Sequence, residues 1–252
     1  MHSSSLTLIK SRLYLHAIFP QLALVCTADS EARSLVAGWR TSIEFRQLGG
    51  PAARISFDRG DCRFDPAPRG IPGLGLLLLG ADHTVKLFGD GQTKPLPWAG
   101  MWRASLMRCL PLLTRRLQAY LGNQGQTTDP ALAARVRVMI LVRAVSVLSR
   151  WHEPTRAMLA EAPDGVIEIE VPGAVTVQAR KAGLEVSLLE GIAVPANVRL
   201  VFADPQLALG VLSGTADIWT ALGTGEFRIQ GLVPLAEAVF DAMDDVKQLL
   251  GV

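Results

Sequence analysis

From Val198 onward the hydrophobic and polar positions fall into a readable order. Val198 to Phe202 is a short apolar run with strand chemistry. Asp204-Pro205 then opens a helix, with Asp204 as N-cap and Pro205 in the first turn, where its missing N–H costs nothing. That helix reaches Leu212 and stops at Ser213-Gly214. Asp217 caps a second short helix that holds Trp219 and Leu222 and ends at Gly223. Glu226 to Gln230 alternates as a strand, and Gly231 breaks it. In the last helix Leu232, Leu235, Ala236, Val239, Phe240, Met243, Val246, Leu249 and Leu250 fall on one stripe.

Upstream, the pattern predicts a helix over Ser5 to Ala17, a second from Pro20 to near Cys26, and a third capped by Asp29. Strands follow over Ser42–Leu48, Ala53–Asp58 and Cys62–Asp65, joined by Gly49-Gly50-Pro51 and Arg59-Gly60-Asp61. After the Pro/Gly-rich stretch from Pro66 to Gly73, Leu74 to Leu79 reads as a buried strand and Asp82 to Phe88 as a short helix. Gly89 to Gly100 reads as a loop, and Met101 to Leu121 as a long helix kinked or restarted at Pro111. Gly122 to Asp129 is polar and aperiodic, a linker. Helices then return over Pro130–Trp151, capped by Asp129, and Glu153–Ala160. Strands follow over Val166–Val171, Ala174–Arg180 and Leu184–Leu189.

The order therefore runs twice. Ile43-Glu44-Phe45 lies on Ile167-Glu168-Ile169, Leu78 on Leu200, Ala81-Asp82 on Ala203-Asp204, Leu110 on Leu232, Leu113 on Leu235 and Glu31 on Glu153, at offsets of 122–124 residues. A tandem duplication is the expectation, with domains at 1–122 and 130–252 and a linker at 123–129. The strand from Glu226 to Gln230 finds no partner in the first half, where Met101 to Leu106 reads as helical. The first domain is accordingly expected to be degenerate. The fold class is α/β (α+β), each half a small mixed, mostly antiparallel sheet covered by helices.

Composition narrows the function. Of 252 residues 49% are hydrophobic and 19% charged, enough apolar mass for a sizeable core, and the net charge of +2 is close to neutral. The basic residues are dispersed and not interleaved with aromatics, which argues against nucleic acid. Cys26, Cys62 and Cys109 are widely spaced and odd in number, which fits free thiols in the cytoplasm and neither a disulfide framework nor a zinc site. The apolar runs Leu13–Cys26 and Val136–Leu148 are too short and too interrupted to span a bilayer, and the first lacks the form of a signal peptide.

A resemblance becomes visible on Asp204-Pro205, Leu207, Leu212-Ser213-Gly214, Trp219, Gly223, Gly225, Phe227, Ile229, Gly231 and Leu235. Their order and spacing resemble the C-terminal half of the sterol carrier protein 2 family. That resemblance implies a small α/β domain with a hydrophobic tunnel between sheet and helices, able to carry a lipid.

Catalytic chemistry is thin by comparison. No zinc-protease, nucleophile-elbow, phosphate-loop or dinucleotide pattern is present. No catalytic residue, metal ligand or cofactor is assigned. The candidate ligand-binding residues are Trp219, Leu222, Phe227, Leu235, Val239, Phe240 and Met243 in the second half and Trp98, Met101 and Trp102 in the first. The expected partner is a lipid or other apolar small molecule, with a transient membrane surface and pathway enzymes as further partners. Two rival readings stand beside this one. One is an enzyme acting on a lipid or polyketide-like substrate, with Asp61, His83 or Asp58 as acid/base. The other is a non-catalytic scaffold for a lipid or quinone pathway.

Overall fold

The computed structural model describes residues 2–89, 91, 93–102, 104–122, 129–189, 191 and 194–250. The chain divides into two compact units, Met1–Ala119 and Tyr120–Val252. Residues 123–128 of the expected linker lie outside the described residues.

The first unit opens with α1 (His2–Leu13), a π-helical turn (Tyr14–Ile18) and α2 (Gln21–Ala28). Pro20 cannot donate a backbone hydrogen bond, and Phe19 N–H reaches back five residues to the Tyr14 carbonyl at 2.9 Å, so the helical path widens just before the proline. Next come α3 (Ser30–Val36), β1 (Arg40–Gln47), β2 (Ala52–Asp58), β3 (Asp61–Asp65), β4 (Leu74–Leu78), α4 (Ala81–Gly89), β5 (Leu96–Ala99) and α5 (Ala104–Leu121). The sheet order is β3-β2-β1-β4-β5. The β1–β4 pair is parallel and its other pairs are antiparallel.

The second unit contains α6 (Pro130–Trp151), α7 (Glu153–Glu161), β6 (Gly165–Val171), β7 (Val175–Ala182), β8 (Glu185–Leu189), β9 (Val198–Phe202), α8 (Pro205–Leu212), α9 (Ile218–Thr224), β10 (Phe227–Gly231) and α10 (Val233–Leu250). Its sheet order is β8-β7-β6-β9-β10, again with only the central β6–β9 pair parallel. The apolar run Val136–Leu148 belongs to α6, a core helix packed on β6, β7, β8, α7, α8 and α10. No helix is long and apolar enough to cross a membrane among the described residues.

Four aspartates cap helices as their positions predict. The Asp29, Asp129, Asp204 and Asp217 carboxylates accept from Ala32, Leu132, Leu207 and Thr220 N–H at 2.7–2.9 Å. Helix α9 runs past Gly223 to Thr224 and is capped by Gly225, which takes the left-handed conformation (φ 79°).

The two sheets share one register at their centres. Glu44 lies between Arg54 and Gly75, and Glu168 between Gln178 and Arg199. The sequence correspondence of Ile43-Glu44-Phe45 with Ile167-Glu168-Ile169 therefore holds, while others move. Leu76, not Leu78, stands in the place of Leu200. The Gly80 carbonyl, receiving Thr84 N–H, plays the part of the Asp204 carbonyl receiving Ala208 N–H, so Asp82 is not the cap. The last helices of the two units are both 18 residues long. A slip of two along a strand, or of seven along a helix, returns a side chain to the same face. Hydrophobic pattern alone cannot detect such a slip.

The expected loss of a strand from the first half is also corrected. The fifth strand is β5, inside the stretch read as the loop Gly89–Gly100. It is short, carries Pro97 and lies at the sheet edge, where proline is tolerated and alternation is weak. Both edge strands run into a glycine with positive φ, Gly100 (71°) and Gly231 (104°). A Cβ there would lie 1.8 Å from the Gly73 carbonyl oxygen and 2.2 Å from that of Asn197, so only glycine fits.

Candidate functional site

The second unit brings Phe227, Leu235 and Phe240 together between α10 and the sheet, and α10 also packs on α6 and α7. Phe227 at the start of β10 pairs across strands with Phe202 at the end of β9, their ring centroids 4.8 Å apart. The half-buried Phe240 of α10 meets Phe227 edge-on at 5.8 Å. Leu235, Val239 and Met243 are buried on the same helix. Leu235 crosses so close to β6 that a Cβ on Gly165 would come within 2.9 Å of it. Removing each such side chain from water contributes roughly 1.5–3 kcal/mol. Leu222 is half-buried on α9, which packs against β10, and Trp219 on the same helix is 66% exposed.

The three candidates of the first unit lie at its surface. Trp98 is 42%, Met101 66% and Trp102 84% exposed. The Trp98 indole covers Gly75, where a Cβ would lie 2.5 Å away, and the Arg46 guanidinium stands 5.6 Å from its ring centroid. The interior aromatic contacts of this unit involve other residues: Phe45 meets Phe19 at 5.1 Å and Phe88 at 5.3 Å, and Phe88 stacks on Tyr14. An open groove of about 530 Å³ runs between Ser30, Ser34 and Leu35 of α3 and Leu112, Arg115 and Arg116 of α5, a feature sequence reasoning missed.

Of the acid/base candidates, His83 is held in a structural role. His83 Nδ1 accepts from Leu79 N–H at 2.9 Å, which leaves Nε2 to donate to the Lys94 carbonyl at 3.2 Å. Asp58 and Asp61, both exposed, flank the β2–β3 turn, and Asp58 stands 3.8 Å from Arg40. No group of three or more His, Cys, Asp or Glu placed to hold a metal ion is found among the described residues.

Polar clusters unmarked by any sequence motif fasten both units. Glu44 is fully buried, bound by Arg46 at 2.8 Å and Arg54 at 2.6 Å, and Arg54 also reaches the Arg69 and Gly70 carbonyls. At the same register positions Glu168 accepts from Gln178 (2.7 Å) and Arg199 (2.7 Å), and Gln178 reaches the Val194 carbonyl. The hydrogen bond to Glu168 holds Arg199 above the usual guanidinium range. The last helices are tied down at the same turn with charges reversed. Arg116 of α5 pairs with the α3 cap Asp29 at 3.1 Å. Asp245 of α10 accepts from the Thr155 hydroxyl at 2.6 Å. Because that hydroxyl's hydrogen points to Asp245, it accepts from His152 Nδ1 at 2.7 Å. Asp245 is thus half-buried and engaged.

No protein-family model and no curated protein matches the sequence. Solved structures do. A ubiquinone synthesis protein, UbiJ-SCP2, matches at 19% identity over 43% of this chain and 96% of its own, with a TM-score of 0.31. The chain is similar to sterol carrier protein 2 domains. Sterol carrier protein 2 from Yarrowia lipolytica matches at 13% identity, 49% and 93% coverage and a TM-score of 0.32. A palmitated sterol carrier protein 2 like 2 from Aedes aegypti matches at 16% identity, 41% and 90% coverage and a TM-score of 0.30.

Proposed function

We propose that the second unit binds an apolar ligand of the lipid class, such as a sterol, fatty acyl chain or isoprenoid, in the layer between α10 and the β10–β9–β6 side of its sheet. What supports this reading is the apolar set of Phe227, Leu235, Val239, Phe240 and Met243, of which Phe227, Leu235 and Phe240 meet between helix and sheet. It includes an unbranched, adaptable methionine and is covered by a helix fastened at the Thr155–Asp245 contact. Displacement of α10 opens a tunnel along this layer. Binding is driven by desolvation: about ten buried CH₂ groups at roughly 0.8 kcal/mol each yield on the order of 8 kcal/mol before immobilisation costs. The chain then acts as a lipid carrier in the cytoplasm, working without cofactor or catalytic residue.

The same reading takes the units as tandem copies of one ancestral segment. Their common strand order, their central registers and the paired Gly100 and Gly231 support it. A second role for the first unit rests on the exposed Trp98, Met101 and Trp102, a strip available to a membrane surface or a pathway enzyme.

Native mass spectrometry of protein purified from its own host tests the binding reading. A co-purified lipid at one per chain, lost on deleting Leu232 to Val252, is the expected result. Unchanged lipid occupancy in a folded truncation would reject α10 as the cover.

A further inference from the structure

We propose that Cys26 and Cys62 are a thiol–disulfide pair, a site of reversible oxidation in the first unit. The sequence separates them widely, but the fold packs α2, which carries Cys26, against edge strand β3, which carries Cys62. Cys26 is fully buried, whereas Cys62, opposite Phe57 in the β2–β3 ladder, is half-exposed. The two thiols lie within interaction range of each other, while Cys62 Sγ donates to the Gly60 carbonyl at 3.9 Å.

Their surroundings give them different roles. Interaction with the Cys26 thiol favours the Cys62 thiolate and holds its pKa below the ordinary thiol value, against opposing effects of burial and Asp61. Cys26 is pushed up by its interaction with Cys62, by burial and by Asp29. Cys62 is therefore the accessible attacking sulfur and Cys26 the resolving one. With a low-molecular-weight disulfide such as oxidised glutathione as oxidant, the Cys62 thiolate attacks one sulfur. The reagent's S–S bond breaks, a Cys62–glutathione mixed disulfide forms, and one glutathione thiolate leaves. Cys26 then attacks the Cys62 sulfur as its proton passes to the second departing glutathione. The protein has lost two electrons, and two glutathione molecules carry them. The product bond ties α2 to the sheet edge.

The test uses the full chain, equilibrated in glutathione buffers from fully reduced to fully oxidised, alkylated, digested and mapped by mass spectrometry. The expected result is a Cys26–Cys62 linked peptide and an intact mass lower by about 2 Da, with Cys109 of α5 remaining alkylatable. Dithiothreitol should reverse it. Cys26→Ser should trap the glutathione adduct on Cys62, and Cys62→Ser should leave buried Cys26 unmodified. The wild-type map stands alone if either variant folds poorly. A persistent Cys62–glutathione adduct with no linked peptide would overturn the proposal. So would linkage of Cys109 to either cysteine at comparable yield, or no oxidation in the most oxidising buffer.

Discussion

Thr155→Val isolates the contact that fastens α10. The valine keeps the shape of a fully buried side chain and removes only the hydroxyl. In the native protein that hydroxyl donates to Asp245 Oδ2 at 2.6 Å and accepts from His152 Nδ1 at 2.7 Å. A hydrogen bond to a charged group contributes about 1.5–3 kcal/mol, and a half-buried carboxylate left without its donor sits at the costly end. His152 lies 3.6 Å from Asp245 and can recover part of the loss by closing on it. The expected net cost is therefore about 2 kcal/mol, a fall in Tm of roughly 5–10 °C for a unit of this size. Urea unfolding followed by amide exchange along α10 reads both the magnitude and the place. Because α10 is the proposed cover, release of a bound fluorescent fatty acid should accelerate by up to about 30-fold, the equivalent of the same 2 kcal/mol. A stability change below about 0.5 kcal/mol, the range of ordinary surface substitutions, would refute the fastening argument. Destabilisation with unaltered release would leave the contact structural and remove it from the ligand cycle.

Three further outcomes follow from the same geometry. Gly231→Ala should destabilise the second unit by about 1–3 kcal/mol, because φ is 104° and the new Cβ meets the Asn197 carbonyl; a denaturation midpoint equal to wild type would contradict this. Glu44→Ala, which leaves the mostly buried Arg54 without its carboxylate, should cost about 3–5 kcal/mol. Glu168→Ala should cost less because Arg199 is half-exposed, and equal losses in calorimetry would show that burial does not govern the difference. Asp164 is held below the ordinary carboxylate range by the Lys181 ammonium and by Gly183 N–H, and Asp217 by the Thr220 hydroxyl and backbone. Both folded pKa values are depressed, so their stabilisation is present above the unfolded value of about 3.9 and fades as pH falls through the folded values. Asp164→Asn should flatten part of the acid limb of a urea-midpoint profile, and an unchanged limb would exclude Asp164 as a contributor.

Much of the local structure was legible along the chain. The four aspartate caps, the turn glycines and the alternating strands of the second half announce themselves through neighbours a few residues away. The short-range chemistry of an orphan amide or a left-handed turn acts within those few residues. The apolar stripe of α10 was legible for the same reason, and the fold puts Leu235, Val239 and Met243 inside. Strand β5 was not, because Pro97 and an exposed edge erase the alternation that marks a half-buried strand. The surface positions of Trp98, Met101 and Trp102 were also hidden, since residue type does not say which face of an edge meets water.

What only the tertiary structure decided is which distant positions meet. The Glu44 and Glu168 clusters, the Thr155–Asp245 tie and the Cys26–Cys62 contact join segments far apart in sequence. Such meetings depend on strand register and helix placement. Periodicity specifies a face but leaves register open to shifts of two residues in a strand and seven in a helix, and only the closing of the ladder hydrogen bonds and the filling of the core select one.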